Sequence, residues 1–116
     1  MNTNTANQGQ AGVRPLDGIT VISLEHAIAA PFCTRQLADM GARVIKVERP
    51  GVGDFARKYD ERVKGLASHF VWTNRSKESL TLNLKHDDAG GILCCLWWPA
   101  MMYIIMLLNA GSCRMC

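Results

Sequence analysis

Apolar residues in this chain gather into short runs divided by polar, glycine-punctuated stretches. "GITVISL" is β-branched and bounded by "PLDG" and "EHA", which predicts a buried strand from Ile19 to Leu24. In "PFCTRQLADMG", Cys33, Leu37 and Met40 recur at helical spacing, Pro31 suits the first helical position and Gly41 supplies a left-handed stop. "ARVIKVERPG" then predicts a second strand on Val44, Ile45 and Val47, ended by Pro50 and Gly51. Strand, helix and strand at this spacing imply a right-handed βαβ unit with parallel strands. "VGDFARKYDERVKGLAS" reads as a long surface connection with a broken helical turn, and "HFVWTN" as one further turn. "ESLTLNLK" alternates, which predicts a third strand from Ser79 to Leu84 with Leu80, Leu82 and Leu84 on one face. Asp87 or Asp88 in "HDDAGG" then offers the N-cap of a second helix.

That helix ought to be amphipathic, but no charged residue or His stands between Asp88 and Arg114. The pattern changes near Gly91, where "ILCCLWWPAMMYIIMLL" (Ile92 to Leu108) begins. The expected fold class is therefore α/β: a partial parallel sheet, βαβ plus a third strand, followed by an apolar, helical C-terminal tail.

Composition narrows the possible functions. The chain has 116 residues, enough for one small domain, and a net charge of +3 without the basic stripe that nucleic-acid binding requires. Anionic small molecules remain as partners. "MNTNTANQGQAGVR" has no charge before Arg14 and no apolar run, so residues 1–14 read as a disordered leader, not an export signal. Of the five cysteines, only Cys33 lies in the body. "CRMC" at Cys113 to Cys116 lacks a second ligand pair at zinc spacing, so no metal site is expected.

Candidate chemistry gathers where strands end. Glu48 closes the second strand, as a ribose-binding carboxylate would. Yet "EHAIAAPF" has no G-x-G-x-x-G, and the alternative is a solvated carboxylate beside Lys46 or Arg49. His26 follows the first strand at the edge where open parallel sheets place ligands; it could serve as acid, base or hydrogen-bonding group, or be structural. "RPGVGD" joins Arg49 to two glycines and suits a loop over a phosphate-bearing ligand. Arg49, Arg75, Lys77 and Lys85 could converge on one anion, or form a solvated charged face.

"PLDGITVISLEHAIAAPFCTRQLADMGARVIKVERPGVGDFAR" followed by "FVWTNRSKESLTLNLK" resembles the start of the class III CoA-transferases, the CaiB/BaiF or formyl-CoA transferase family. The resemblance covers about Pro15 to Gly91. It implies a Rossmann-like large domain and a reaction that moves CoA from an acyl-CoA to a carboxylic acid through an aspartate. Coenzyme A thioester enters as substrate, with no permanently bound cofactor, and two chains form an interlocked homodimer. The resemblance also places Ile28 and Ala29 against the thioester region, Arg49 on the CoA nucleotide, and Leu82, Asn83, Leu84 and Lys85 along the same nucleotide. Formyl-CoA transferases carry Gln where Ile28 stands, which argues against an oxalate or formate substrate. The block "EHAIAAPFCTRQLADMGARVIKVERPG" is more similar to members acting on branched or unsaturated dicarboxylates such as itaconate or mesaconate. The family's catalytic aspartate lies beyond the third strand, so no catalytic residue is expected in this chain, and Asp87 and Asp88 are cap residues.

Three readings of the tail compete. A spanning helix needs about 20 apolar residues, which Ile92 to Leu108 approaches and its flanking Gly, Asn and Ala could extend. That reading makes the chain a small membrane-tethered CoA- or nucleotide-binding module. A buried helix apolar all round needs cover that three strands do not provide. The third and leading reading is that the tail does not belong to the fold, a frameshift, premature stop or wrongly assigned gene end having replaced the family's amphipathic helix after Gly91. It divides the chain into a leader (1–14), an N-terminal part of a cytoplasmic CoA-transferase large domain (15–91) and a non-family tail (92–116). Translated in its other two frames beyond the Gly91 codon, the encoding DNA is then expected to give a charged amphipathic helix and a long α/β sequence. Early stops in both frames would remove the frameshift.

Overall fold

The computed structural model describes residues 12–97 and 102–106. Four strands form one sheet in the order β3-β2-β1-β4: β1 (Thr20–Leu24), β2 (Arg43–Glu48), β3 (Lys77–Thr81) and β4 (Met102–Met106). Every pairing is parallel. This is the order in which a doubly wound sheet starts, with the chain reversing direction of growth between β3 and β4.

Helix α1 (Ala29–Asp39) carries the first crossover. It starts two residues before Pro31, which falls in the first turn, where a missing N–H costs nothing. Its end is a complete Schellman motif: Gly41 has φ 109, Gly41 N–H donates to Ala38 and Ala42 N–H to Leu37, both at 3.0 Å. The predicted left-handed stop is thus present. A side chain at Gly41 would also strike Arg14 and Asp17, 2.7 Å from the ideal Cβ position. Arg14, assigned to the leader from the sequence, pairs with Asp17 through its guanidinium at 3.1 Å, and Leu16 N–H donates to Met40. Residues 1–11 of that leader lie outside the described residues.

Alternation along the strands divides the core into two layers. Val21 and Val44 face α1 and pack with Ala38, Ala42, Leu16, Ile19 and Leu37. Ile22, Ile45 and Val47 face the other way, against Leu24, Leu80, Leu82 and two residues of α3 (Ala89–Trp97), Leu93 and Leu96. Asp88 C=O accepts from Ile92 N–H at 3.1 Å, so the helix begins where the acidic pair announced it. The long connection folds into a short 3-10 helix (Phe55–Lys58) and helix α2 (Ser68–Asn74), which rests on α1 through the Phe32–Trp72 ring contact at 5.4 Å.

Two sequence expectations need correction. β3 runs from Lys77 to Thr81, not from Ser79 to Leu84. Leu82 N–H makes a last bond to Glu48 C=O at 3.0 Å. Asn83 then turns the chain, its side chain accepting from Lys85 N–H at 3.1 Å and its carbonyl from His86 N–H at 3.0 Å. Leu84 consequently leaves the apolar face and is 49% exposed. The tail was expected to be helical; among its described residues α3 runs to Trp97, whereas Met102–Met106 is a strand paired with β1 from Thr20↔Met102 to Leu24↔Met106. β-Branched and aromatic residues in "MYIIM" favour extended backbone, and the free edge of β1 satisfies its hydrogen bonds. Among the described residues no helix is long and apolar enough to cross a membrane. Cys113 and Cys116 lie outside the described residues.

Replacing Ile22, 1% exposed in the middle of β1, with Ala is expected to lower unfolding free energy by about 2–4 kcal/mol in urea denaturation. Leu84→Ala, on the exposed turn, is expected to change it by less than about 0.5 kcal/mol.

Candidate functional site

The α1 side of the sheet changes character along its length. Toward the amino ends it carries Val21 and Val44; toward the carboxyl ends the same alternation delivers Ser23 and Glu25 from β1 and its extension, and Lys46 and Glu48 from β2. β3 adds Lys77 and Ser79 beside Val44 and Lys46 in the register. The opposite face is apolar at Ile22, Ile45, Val47 and Leu80, with the exposed Arg43–Glu78 ion pair at its amino end. One surface of a parallel sheet is therefore charged, and it is buried.

Those charges are paired. Lys46 Nζ donates to Asp54 Oδ2 at 2.6 Å and to Asn74 Oδ1 at 3.0 Å. Lys77 Nζ donates to Glu25 Oε1 and Pro31 C=O, both at 2.7 Å, and to the same Asn74 oxygen at 3.1 Å. Thr34 of α1 donates to the Glu25 carboxylate at 2.8 Å. Side chains of Lys46, Lys77, Glu25 and Asp54 are each no more than 3% exposed. Burial pushes the Lys77 ammonium below its ordinary range, and Glu25 pulls against that shift.

At the rim, Glu48 Oε2 accepts from Arg57 Nη2 at 2.6 Å and Ser79 Oγ at 2.7 Å, and Glu48 Oε1 accepts from Asp54 N–H at 3.2 Å. The Arg57 guanidinium lies over the Phe70 ring, 3.8 Å from its centroid. Burial works to raise the Glu48 carboxyl. The bonds from Arg57, Ser79 and Asp54 outweigh it, so the group is lowered from 4.5 to about 2.

Arg49, just past β2, opens the "RPGVGD" loop. Gly51 and Gly53 hold φ of 74 and 61, and a side chain at Gly53 would sit 3.0 Å from Arg57 Nε. Loop and strand ends enclose a cleft of about 260 Å³ lined by Glu48, Arg49, Gly51, Val52, Gly53, Arg57, Ser79 and Thr81. It combines an unburied guanidinium, backbone close to the surface and small hydroxyls, which suits an anionic group with hydrogen-bonding oxygens.

His26 and the residues that the resemblance assigns to CoA all lie past carboxyl ends of adjacent strands. Ile28 is the N-cap of α1 and Ala29 its first residue; both are exposed beyond β1. Arg49 follows β2. Leu82, Asn83, Leu84 and Lys85 follow β3 in a turn tied to β2 by the Leu82–Glu48 bond, not on a strand end as expected. His26 is 39% exposed at its side chain, stacks on Phe55 at 5.7 Å and places Nδ1 3.8 Å from Asp54.

The suggested convergence of four cations does not occur. Lys77 is used inside, and Arg75 pairs with Asp39 at 2.7 Å on the outer surface. Nor are Glu48 and Lys77 solvated, because both belong to the closed face of the sheet. Sequence reasoning passed over Asp54, Glu25 and Asn74 as site residues. Its available signal was polar residues two apart within apolar strands, Ser23 and Glu25, Lys46 and Glu48.

A comparison with family profiles matches residues 16–97 to CoA-transferase family III. The chain belongs to that family. An acetyl-CoA:oxalate CoA-transferase of Acetobacter aceti is 48% identical over 78 residues, covering 67% of this chain and 20% of the relative. A human succinyl-CoA:glutarate CoA-transferase is 42% identical over 79 residues, covering 67% and 18%. A crystal structure of a CaiB/BaiF family protein from Brucella suis superposes with a TM-score of 0.62 at 33% identity, covering 69% of this chain and 22% of that one. The chain thus spans about a fifth of the length of the family III relatives it matches. Proteins of this family act on CoA thioesters and carboxylates.

The Glu48 shift has a defined sign. A carboxyl lowered on folding contributes stability that is complete above its unfolded value near 4.5 and is lost as pH falls through the folded value near 2. Glu48→Gln removes that contribution. Between about pH 5 and about pH 3 the urea midpoint of the variant is expected to fall less steeply than that of the parent chain. Equal slopes would show that Glu48 is not held by Arg57 and Ser79 in solution.

Proposed function

We propose that this chain carries the CoA-binding edge of an acyl-CoA:carboxylate CoA-transferase. The observation that carries the reading is the exposed Arg49 beside a glycine-bordered cleft at the carboxyl edge, within a stretch matched throughout by CoA-transferase family III. CoA is multiply anionic, and a guanidinium offers paired donors to a phosphate. Lys85 in the neighbouring turn adds a second cation, and Leu82 to Leu84 give the nucleotide an apolar and amide-bearing wall. Ile28 and Ala29, two strands away along the same edge, flank the thioester end.

In the reaction the acyl group's CoA passes to a second carboxylate, releasing the first acid. The relatives named for oxalate, glutarate and D-citramalate share a dicarboxylate acceptor, and a dicarboxylate is proposed here too. A relative named for oxalate at 48% identity supports keeping oxalate among the proposed acceptors despite Ile28. CoA acts as substrate with no permanent cofactor, in a cytoplasmic homodimer of the complete enzyme, and the catalytic aspartate is supplied from outside these residues.

Isothermal titration of the chain with CoA tests the reading. Binding is expected to weaken by about tenfold in Arg49→Ala and further in Arg49→Ala/Lys85→Ala, and to weaken with added salt. Unchanged affinity in the double variant would reject this edge as the nucleotide site.

A further inference from the structure

We propose that Asp54 is a positioning residue for the CoA site, a strap that holds the turn between β1 and α1 in a left-handed conformation and so fixes Ile28 and Ala29 relative to the Arg49 loop. The proposal rests on the reading that CoA binds along this edge.

Ala27 has φ 67. An L-residue with a methyl side chain disfavours that region, and Ala, unlike Asn or Asp, has no polar group with which to stabilise it locally. The next residue does not help either: Ile28, the N-cap of α1, has φ −125 and makes no side-chain cap bond. The turn is therefore placed from outside, and its N–H shows by what. Ala27 N–H donates to Asp54 Oδ1 at 3.2 Å, across 27 residues of sequence.

Asp54 itself has no freedom to follow the turn. It is fully buried, its other oxygen is gripped by Lys46 at 2.6 Å, its own N–H is bound to Glu48, and Oδ1 also accepts from Ala56 N–H at 2.9 Å to start the 3-10 helix. The adjoining Phe55 ring stacks on His26, which precedes Ala27. The strap thus joins a rigid point on β2 to a conformation that would otherwise relax. Asp54 also ends the loop that begins at Arg49, so one carboxylate sets both flanks of the proposed ligand.

The test compares CoA affinity by titration with exchange of the Ala27 amide by NMR. Lys46→Met/Asp54→Ala removes both ions together, leaving neither buried without its partner. This variant is expected to expose the Ala27 amide to exchange and to bind CoA about tenfold more weakly. Adding Ala27→Gly is expected to restore most of that affinity, because Gly adopts positive φ without an acceptor. Ala27→Val keeps every buried charge but resists positive φ, and is expected to lose affinity to a similar extent.

Unchanged CoA affinity in Ala27→Val, or a loss in the double variant that Ala27→Gly leaves in place, overturns the positioning role. If the double variant does not fold, Ala27→Val decides alone. An unprotected Ala27 amide in the parent chain overturns the strap itself with no ligand present. Failure of the parent chain to bind CoA instead overturns the binding reading on which the inference rests.

Discussion

The structure depends on keeping ions dry in neutral combination. Lys46, Lys77, Glu25 and Asp54 lie beneath α1 and α2 with almost no water contact. An isolated ion there would cost several kcal/mol, and removing one partner leaves the other in that state. One pair ties β2 to the loop that follows it, and the other ties β3 to the residue after β1, 52 positions away. The positions of α1, the Arg49 loop and the third strand are consequently fixed by a common electrostatic requirement, which apolar packing alone would set less sharply.

Parallel topology explains why the requirement falls where it does. Adjacent strands in this sheet run the same way, so their carboxyl ends, and the loops after them, share one rim. The two faces divide the work. The α3 face is apolar from Ile22 to Leu80 and supplies hydrophobic stabilisation, while the α1 face gives up part of that gain to hold loops in place. The Arg49 cleft is built at the end of the costly face, where Glu48 neutralises Arg57 and leaves Arg49 without a carboxylate partner in the lining.

Most of the fold was legible in the sequence because it is encoded locally. "GITVISL", "VIKV" and the Pro31-to-Gly41 span specify strand, strand and helix by period and punctuation, and Gly41 delivers the Schellman stop it promised. The third strand was misplaced because Leu80, Leu82 and Leu84 alternate as a strand would, while Asn83 ends the ladder between them by bonding to Lys85 and His86. The site was half legible. Arg49 and the two glycines advertise themselves, but Asp54 and Asn74 are ordinary loop and helix-end residues until the chain closes 27 or more positions of separation. Charges in strands were read as solvated because burial of a Lys or Glu depends on its partner, and a partner 52 residues away leaves no periodic trace.

Asn74 sits between the two lysines. Its Oδ1 accepts from both, and its Nδ2 donates to Phe70 C=O and Thr73 Oγ1, so the amide has one orientation that satisfies every neighbour. The surrounding ions already balance, Lys46 with Asp54, Lys77 with Glu25 and Arg57 with Glu48. A carboxylate at position 74 would have nearly the same shape, yet it would turn the two nitrogen contacts from donors to repelled acceptors and add an uncompensated negative charge. Discrimination between Asn and Asp at this helix end is thus a matter of charge parity: an even set of ions tolerates a neutral bridge and rejects a seventh member.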